Sequence, residues 1–223
     1  MFQAQDSSPL QSGRPVSRPR PCVRRLGPTD YVATWRAMQA FTAARTATTL
    51  DELWCTEHPP VYTVGLNGKP EHFVDHDPRI PVIQVDRGGQ VTYHGPGQAV
   101  IYLLLDLRRL GWSVRELVRA MEQAVVELLA EHGVTAHGDV AAPGVYVNDA
   151  KIAALGLRIK NGCSYHGLAC NVAMDLSPFA TINPCGQRDL PVTQAADWGI
   201  ALSPAEWAEA IAERLITLLY VQD

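Results

Sequence analysis

The sequence lacks any apolar run approaching the ~20 residues that a membrane-spanning helix needs, so no membrane role is expected. It also lacks a dominant charge. Nineteen Lys and Arg against 23 Asp and Glu leave a net charge of -4, which gives no reason to expect nucleic acid as the main partner. A local basic patch for an acidic protein partner stays open. The five cysteines are odd in number and without metal-ligand spacing, so no metal is expected. They read as reduced thiols in a cytoplasmic setting rather than as a disulfide framework. No Gly-Lys-Ser/Thr phosphate loop is present, and no helix pattern opens on the glycines as a dinucleotide fingerprint requires.

What remains is a chain of 223 residues, 47% apolar and 19% charged, sized for one domain with a full core. Met1 to Pro21 carries Pro9, Pro15, Pro19 and Pro21 with Arg14, Arg18 and Arg20, and one acid, Asp6. Without an apolar core it is no secretory signal, and its prolines oppose a transit-peptide helix. Residues 1–21 are expected to form a disordered tail, and residues 22–223 the ordered domain.

Pro28-Thr29-Asp30 supplies a helix start, with Tyr31, Trp35 and Met38 on one face. Leu53 to Thr56 and Val61 to Val64 read as strands joined by Glu57-His58-Pro59-Pro60, where His58 is expected to be a surface turn residue. Asn67 to Arg79 is polar and is expected to be a surface loop. Ser113 and Glu116 form a capping box ahead of a stripe of Val114, Leu117, Val118, Met121, Val125 and Leu128, closed by Gly133. That helix is expected to pack and to carry no chemistry. Ser203-Pro204-Ala205-Glu206 opens the last helix, with Trp207, Ile211, Leu215 and Leu218 facing the sheet.

Two regions stand apart from this scaffold. Arg87-Gly88-Gly89-Gln90-Val91-Thr92-Tyr93-His94-Gly95-Pro96-Gly97-Gln98 sets four glycines and a proline between two strand-like runs, Pro81 to Val85 and Ala99 to Leu105. Glycine lets a ligand lie against main-chain N–H groups. The stretch is either a binding loop or a glycine-rich turn with a satisfied histidine. Farther on, Asn161-Gly162 signals a two-residue hairpin between Lys151–Lys160 and Cys163–Val172. Lys160 then pairs with Cys163, Gly156 faces Gly167, and Ala154 faces Ala169. Opposed residues share a face. The result is a trench of small residues, suited to a linear apolar group or to a closely packed helix.

Among the cysteines, Cys185 in Thr181-Ile182-Asn183-Pro184-Cys185-Gly186 has the surroundings of an exposed thiol in a turn. A thiol nucleophile needs a base or a cation, and His94, His166 and Lys151 are the candidates. Lys151 precedes Ile152-Ala153-Ala154-Leu155, apolar surroundings in which an amine gives up its proton more readily.

Taken together, Glu57-His58-Pro59-Pro60-Val61-Tyr62-Thr63, Arg87 to Gln98, Gly144-Val145-Tyr146, Lys151 to Gly156, His166-Gly167-Leu168-Ala169 and Asn183-Pro184-Cys185-Gly186 resemble the lipoyl(octanoyl) transferases, in order and spacing, from Val23 onward. The resemblance implies an α/β fold of the α+β type. In it a mixed β-sheet is flanked by helices, in the single-domain catalytic module shared with biotin and lipoate protein ligases. It implies transfer of an octanoyl group from octanoyl-acyl carrier protein to a lysine of lipoyl domains, those of 2-oxoacid dehydrogenases and the glycine cleavage H protein. No cofactor is implied, and a monomer is expected. By resemblance Cys185 carries the acyl thioester, and Lys151 lowers the thiol pKa and moves the proton. Arg87, Gly88, Gly89, Gln90, Val91, Thr92, Tyr93, His94, Ala154, Leu155, Gly156, Gly167, Leu168 and Ala169 bind the acyl group. The 1–21 tail has no counterpart, and Cys170 stands where an aliphatic residue is expected. The competing readings are an ATP-dependent lipoate-protein ligase on the same fold, a Cys–His thioesterase using His94 or His166, and a non-catalytic relative.

Overall fold

The computed structural model describes residues 19–139, 141–183 and 190–221. The chain opens on β1 (Cys22–Pro28), and Asp30 then caps helix α1 (Tyr31–Ala44) by accepting from the Ala33 N–H. Strands β2 (Glu52–Glu57) and β3 (Val61–Val64) follow, then β4 (Val82–Gln84), β5 (Val91–His94) and β6 (Gln98–Leu104). A one-turn helix α2 (Leu107–Leu110) leads to the long helix α3 (Val114–Glu131). Strands β7 (His137–Gly138), β8 (Gly144–Val147), β9 (Ala150–Lys160) and β10 (Cys163–Asn171) come next, and helix α4 (Pro204–Tyr220) closes the described chain.

Among the described residues these strands form two sheets, a seven-stranded one ordered β1-β2-β6-β10-β9-β8-β7 and a three-stranded one ordered β4-β3-β5. In the larger sheet β1 runs parallel to β2 and the other pairings are antiparallel. Both sheet and helices therefore match the expected mixed architecture. Pro59 and Pro60 stand where the chain leaves the large sheet after β2 and enters the small one at β3. That switch overturns the reading of His58. The residue is 1% exposed, wedged between the sheets rather than turned to solvent. The segment expected as a polar surface loop also carries a 3₁₀ turn, Pro70–His72, and buries His72, while Phe73 bridges to Ile182.

Register on the large sheet is set by two turns whose central residues are left-handed. Asn148 and Asp149 have φ of 46° and 67°, and Asn161 and Gly162 have 52° and 76°, as two-residue hairpin turns require. Lys160 accordingly pairs with Cys163, Gly156 with Gly167 and Ala154 with Ala169, as the hairpin arithmetic predicts.

The two faces of this sheet differ. On one, the α3 stripe of Leu117, Met121, Val125 and Leu128 and the α4 residues Trp207, Ile211 and Leu215 bury Ile101, Leu103, Leu168 and Cys170. Each such side chain contributes about 1.5–3 kcal/mol of hydrophobic burial. Both helices start with capping boxes at Ser113 and Ser203, as expected, whereas Val114 stands 43% exposed at the first helical position. On the other face, Met38 of α1 packs on Trp54, Val100, Tyr102 and Leu104. The small sheet lies over the same face, joined to it where the Gly88 N–H donates to the Leu157 carbonyl at 2.9 Å.

Candidate functional site

Lys151 stands near the start of β9, and strict alternation would give it the side of Ala153, which lies in the core under α3 and α4. A β-bulge prevents this. Val145 pairs with Ala153 and Tyr146 with Lys151, so Ile152 is an extra residue, and the bulge re-aims the lysine. Its side chain then lies over Gly144, where an added Cβ would meet Lys151 Cε at 2.8 Å and Nζ at 3.1 Å. The ammonium sits 5.1 Å from the centre of the Tyr146 ring, a cation–π contact, and the residue is 4% exposed. Its main chain is fixed as well. The Lys151 N–H donates to the Pro191 carbonyl at 2.8 Å, and its carbonyl accepts from the Thr193 N–H at 3.0 Å.

Between the two sheets lies a pocket of about 760 Å³, part of it open to solvent, with Lys151 in its wall. Ala154 and Ala169 form its floor beside Val100, and Val91, Phe179 and Val192 add apolar wall. Arg87, Gly89, Gln90, Thr92 and His94 line it from the glycine-rich loop, and Leu155, Gly156, Gly167 and Leu168 from the hairpin. Two residues expected to bind do not reach it. Gly88 instead links the sheets through its N–H, and Tyr93 turns away to pack on Tyr62 and Phe179. Leu168 packs in the core on the helix-covered face, and Leu155 lies partly buried against that core, so both lend the pocket mainly backbone.

The trench itself needs a correction at its glycines. A Cβ at Gly156 would meet Arg87 Cδ at 3.1 Å and the Gly88 carbonyl at 3.2 Å, so the space left there is occupied by the loop. A Cβ at Gly167 would lie 2.1 Å from the Ile101 carbonyl, so that glycine serves the close approach of β10 to β6. The alanines are what keep the floor low.

Gly156 lies five residues along β9 from Lys151, roughly 17 Å in an extended strand. That end of the pocket is polar and densely hydrogen-bonded, with Gln90 Oε1 the exception among its described residues. His166 has φ of 60°, uncommon for a non-glycine residue, and this lets Tyr165 and His166 both reach Asp86. Asp86 accepts from Tyr165 Oη at 2.5 Å, Trp35 Nε1 at 2.8 Å, His166 Nε2 at 3.0 Å and Gln39 Nε2 at 3.1 Å. Burial alone would raise its pKa, but these hydrogen bonds outweigh burial and hold the carboxyl well below the usual range. His58 must donate from Nδ1 to the Thr29 carbonyl (2.8 Å), so its Nε2 accepts from Tyr102 Oη at 2.7 Å. Burial lowers the pKa of His58 and of His166, and takes His94 down to about 3 with help from the neighbouring His58.

A chain of hydrogen bonds joins the two ends. Arg87 donates to the carbonyl and hydroxyl of Thr63, both at 2.8 Å, and that hydroxyl lies 3.4 Å from His94 Nε2. His94 Nδ1 meets Gln98 Oε1 at 2.7 Å, Gln98 Nε2 donates to Asn171 Oδ1 at 3.0 Å, and Asn171 Nδ2 donates to the Thr193 carbonyl at 3.0 Å. Thr193 is the residue whose N–H holds Lys151. The polar side chains are thus satisfied by one another, as buried polar groups must be.

His94 and His166, considered as bases for a thiol, therefore stand at the opposite end from Lys151, buried and largely neutral. Tyr31, Tyr102, Val100, Asn171, Phe179 and Val192 line the pocket without having been singled out in the sequence. Gln98 opens β6 and pairs with Asn171, which ends β10, and these polar residues flanking apolar runs are the readable signal. Cys185 lies outside the described residues. On either side of it, the Asn183 N–H donates to the His72 carbonyl at 2.7 Å and Val192 bridges to Lys151.

The model of the lipoyl protein ligase A/B catalytic domain matches residues 30–216. The chain belongs to this family. Within it, an octanoyltransferase of Dechloromonas aromatica is 62% identical over 199 residues, covering 89% of this chain and 97% of its own. One of Chromobacterium violaceum is 59% identical over 193 residues, covering 86% and 93%. In fold, a putative lipoate protein ligase of T. acidophilum superposes with a TM-score of 0.74 at 17% identity, covering 92% of this chain and 88% of that one. This family's fold and the expected architecture coincide.

Proposed function

We infer that the protein is an octanoyltransferase, moving an octanoyl group from octanoyl-acyl carrier protein to the amine of a lipoyl-domain lysine. The observation that carries this is 62% identity to an octanoyltransferase across 97% of that protein's length. The pocket supports it in kind, with an uncharged floor of Ala154, Ala169 and Val100 ending at a buried lysine. Each methylene buried there contributes about 0.8 kcal/mol, enough for an acyl chain to bind without charged recognition.

Cys185 serves as the nucleophile and Lys151 as its partner. Cys185 lies six residues before Pro191, whose carbonyl accepts the Lys151 N–H. In the first half-reaction the Cys185 thiolate attacks the donor thioester carbonyl. A new C–S bond forms on Cys185, the carrier's C–S bond breaks, and the departing carrier sulfur takes a proton from Lys151. In the second, the acceptor amine attacks the Cys185 thioester. The amide C–N bond forms, the C–S bond breaks, and the amine's proton passes by way of Lys151 to the freed sulfur. A thioester is already activated, so no nucleotide or cofactor enters. A reducing cytoplasm suits a thiol nucleophile, and the acceptors in view are the lipoyl domains of 2-oxoacid dehydrogenases and the glycine cleavage H protein.

The test is single-turnover transfer from octanoyl-carrier protein to an isolated lipoyl domain without nucleotide. Octanoylation of the acceptor lysine is the expected result. A strict requirement for ATP, or release of free octanoate in place of transfer, would overturn the reading.

A further inference from the structure

Helix α3 carries one charged side chain on its buried face. Glu122 is 7% exposed, among Leu117, Met121, Val125 and Leu128, where an apolar residue would stabilise the packing at no desolvation cost. Its Oε1 accepts the Gly144 N–H at 3.1 Å, and a Cβ at Gly138 would meet its Oε2 at 2.7 Å, so the carboxylate is held against the backbone of β7 and β8. Gly144 is also the residue over which Lys151 lies, with the place of its missing Cβ 2.8 Å from Lys151 Cε. One glycine backbone therefore separates a buried acid from the buried lysine.

We propose that Glu122 is a positioning residue that holds Lys151 in its ammonium form and so favours the thiolate of Cys185. The inference rests on the reading of Lys151 and Cys185 given above. Moving the Cys185 proton onto Lys151 creates one negative and one positive charge without adding or losing an atom. A fixed carboxylate beside the amine stabilises the charged pair over the neutral one. The other charged or titratable groups facing Glu122 are Asp139 after β7 and Arg119 one turn back on α3, while Tyr146 and the His137 ring stacked on it flank Lys151. Burial pushes the Glu122 carboxyl up, the Gly144 N–H pulls it down, Asp139 raises it, and Arg119 and Lys151 lower it. The lysine's charge is the smallest of these influences, and the Gly144 backbone lies between the two groups.

The role differs between half-reactions. Thiolate formation needs Lys151 to stay charged, whereas in the second half-reaction Lys151 takes up the acceptor amine's proton and passes it on, so what Glu122 adds to uptake it takes from release. Glu122→Gln keeps an oxygen for the Gly144 N–H and removes only the charge. In the full-length protein we expect Cys185 alkylation by iodoacetamide, read by peptide mapping, to slow about 10-fold at pH 7. Its pH midpoint should move up by about one unit, the order expected of one partly buried charge pair. Single-turnover acylation by octanoyl-carrier protein should slow in parallel, while deacylation of preformed octanoyl-enzyme by a lipoyl domain stays within about 2-fold of the parent, a difference too small to count on this scale. Glu122→Asp, which retains the charge, should keep the parent midpoint. An unchanged alkylation profile in Glu122→Gln, or an equal loss in both half-reactions, would overturn the proposal. If Cys185 of the unmodified protein takes no octanoyl label, the underlying reading falls and this inference with it. Labelling together with an unchanged Glu122→Gln profile would sink this inference alone.

Discussion

At one end of the pocket three histidines are buried in largely neutral form, with Tyr31 and Tyr102 among them; at the other, Lys151 is equally buried, with Glu122 across the Gly144 backbone. Histidine is the more easily neutralised base, and burial lowers all three. His166 does touch an anion, yet Asp86 divides its two oxygens among four donors and Arg87 opposes protonation nearby. The histidine end holds shape, with nearly every donor and acceptor spoken for. On the proposed mechanism, the lysine end keeps the group that gives and takes the proton. Proximity of polar residues to a pocket thus says less about their role than the accounting of their partners does.

The contrast breaks most sharply at Lys151. Lys151→Arg, which retains the charge but cannot surrender the proton, should lower single-turnover transfer by about 10²–10⁴-fold with the thermal midpoint little changed. Near-parent turnover would move the chemistry elsewhere. Next comes the floor between the ends. Ala154→Leu adds three carbons on the floor proposed for the acyl chain and should displace about as many methylenes, at ~0.8 kcal/mol each, shifting preference from octanoyl to shorter donors. An unchanged chain-length profile would remove the acyl chain from this pocket. Gly156→Ala is the weaker probe, because its methyl would press on Arg87 rather than fill the pocket.

The histidine end should reveal itself in stability. His94 takes up its proton near pH 3 when folded and near its usual 6.5 when unfolded, so the unfolded chain binds the extra proton between those values. Stability is therefore full above about pH 6.5 and falls as pH drops toward 3, by about 1.4 kcal/mol per pH unit for each such histidine. Denaturant titrations across that window check the slope, and His94→Gln should make it shallower by one proton. Smallest is Tyr102→Phe. It leaves His58 Nε2 without its donor and should cost about 1–2 kcal/mol of stability with little change in transfer.

Much of this arrangement is legible in the sequence. The hairpin register followed from Asn161-Gly162 because a two-residue turn admits one pairing, and the capping boxes at Ser113 and Ser203 fixed both long helices. Twelve of the residues expected to bind the acyl group, and Lys151 with them, line one pocket. What alternation could not give was the bulge at Ile152, which turns Lys151 out of the core, or the left-handed His166, which places two neighbouring side chains on Asp86. The misreading of His58 has a similar cause. Flanking prolines signal departure from a sheet, and here the departure leads into a second sheet rather than to solvent. Glu122 is not legible in the sequence, because a helix stripe is marked by its apolar positions and a lone acid within it has meaning only with Gly144 and Lys151 across from it.

The central claim is that an acyl chain rests on Cys185 between donor and acceptor. Brief mixing with octanoyl-carrier protein, followed by intact mass and peptide mapping, tests it directly. The account predicts a single octanoyl adduct on the peptide containing Cys185, discharged by an added lipoyl domain. Transfer that proceeds with no adduct, or an adduct confined to another cysteine, would contradict it.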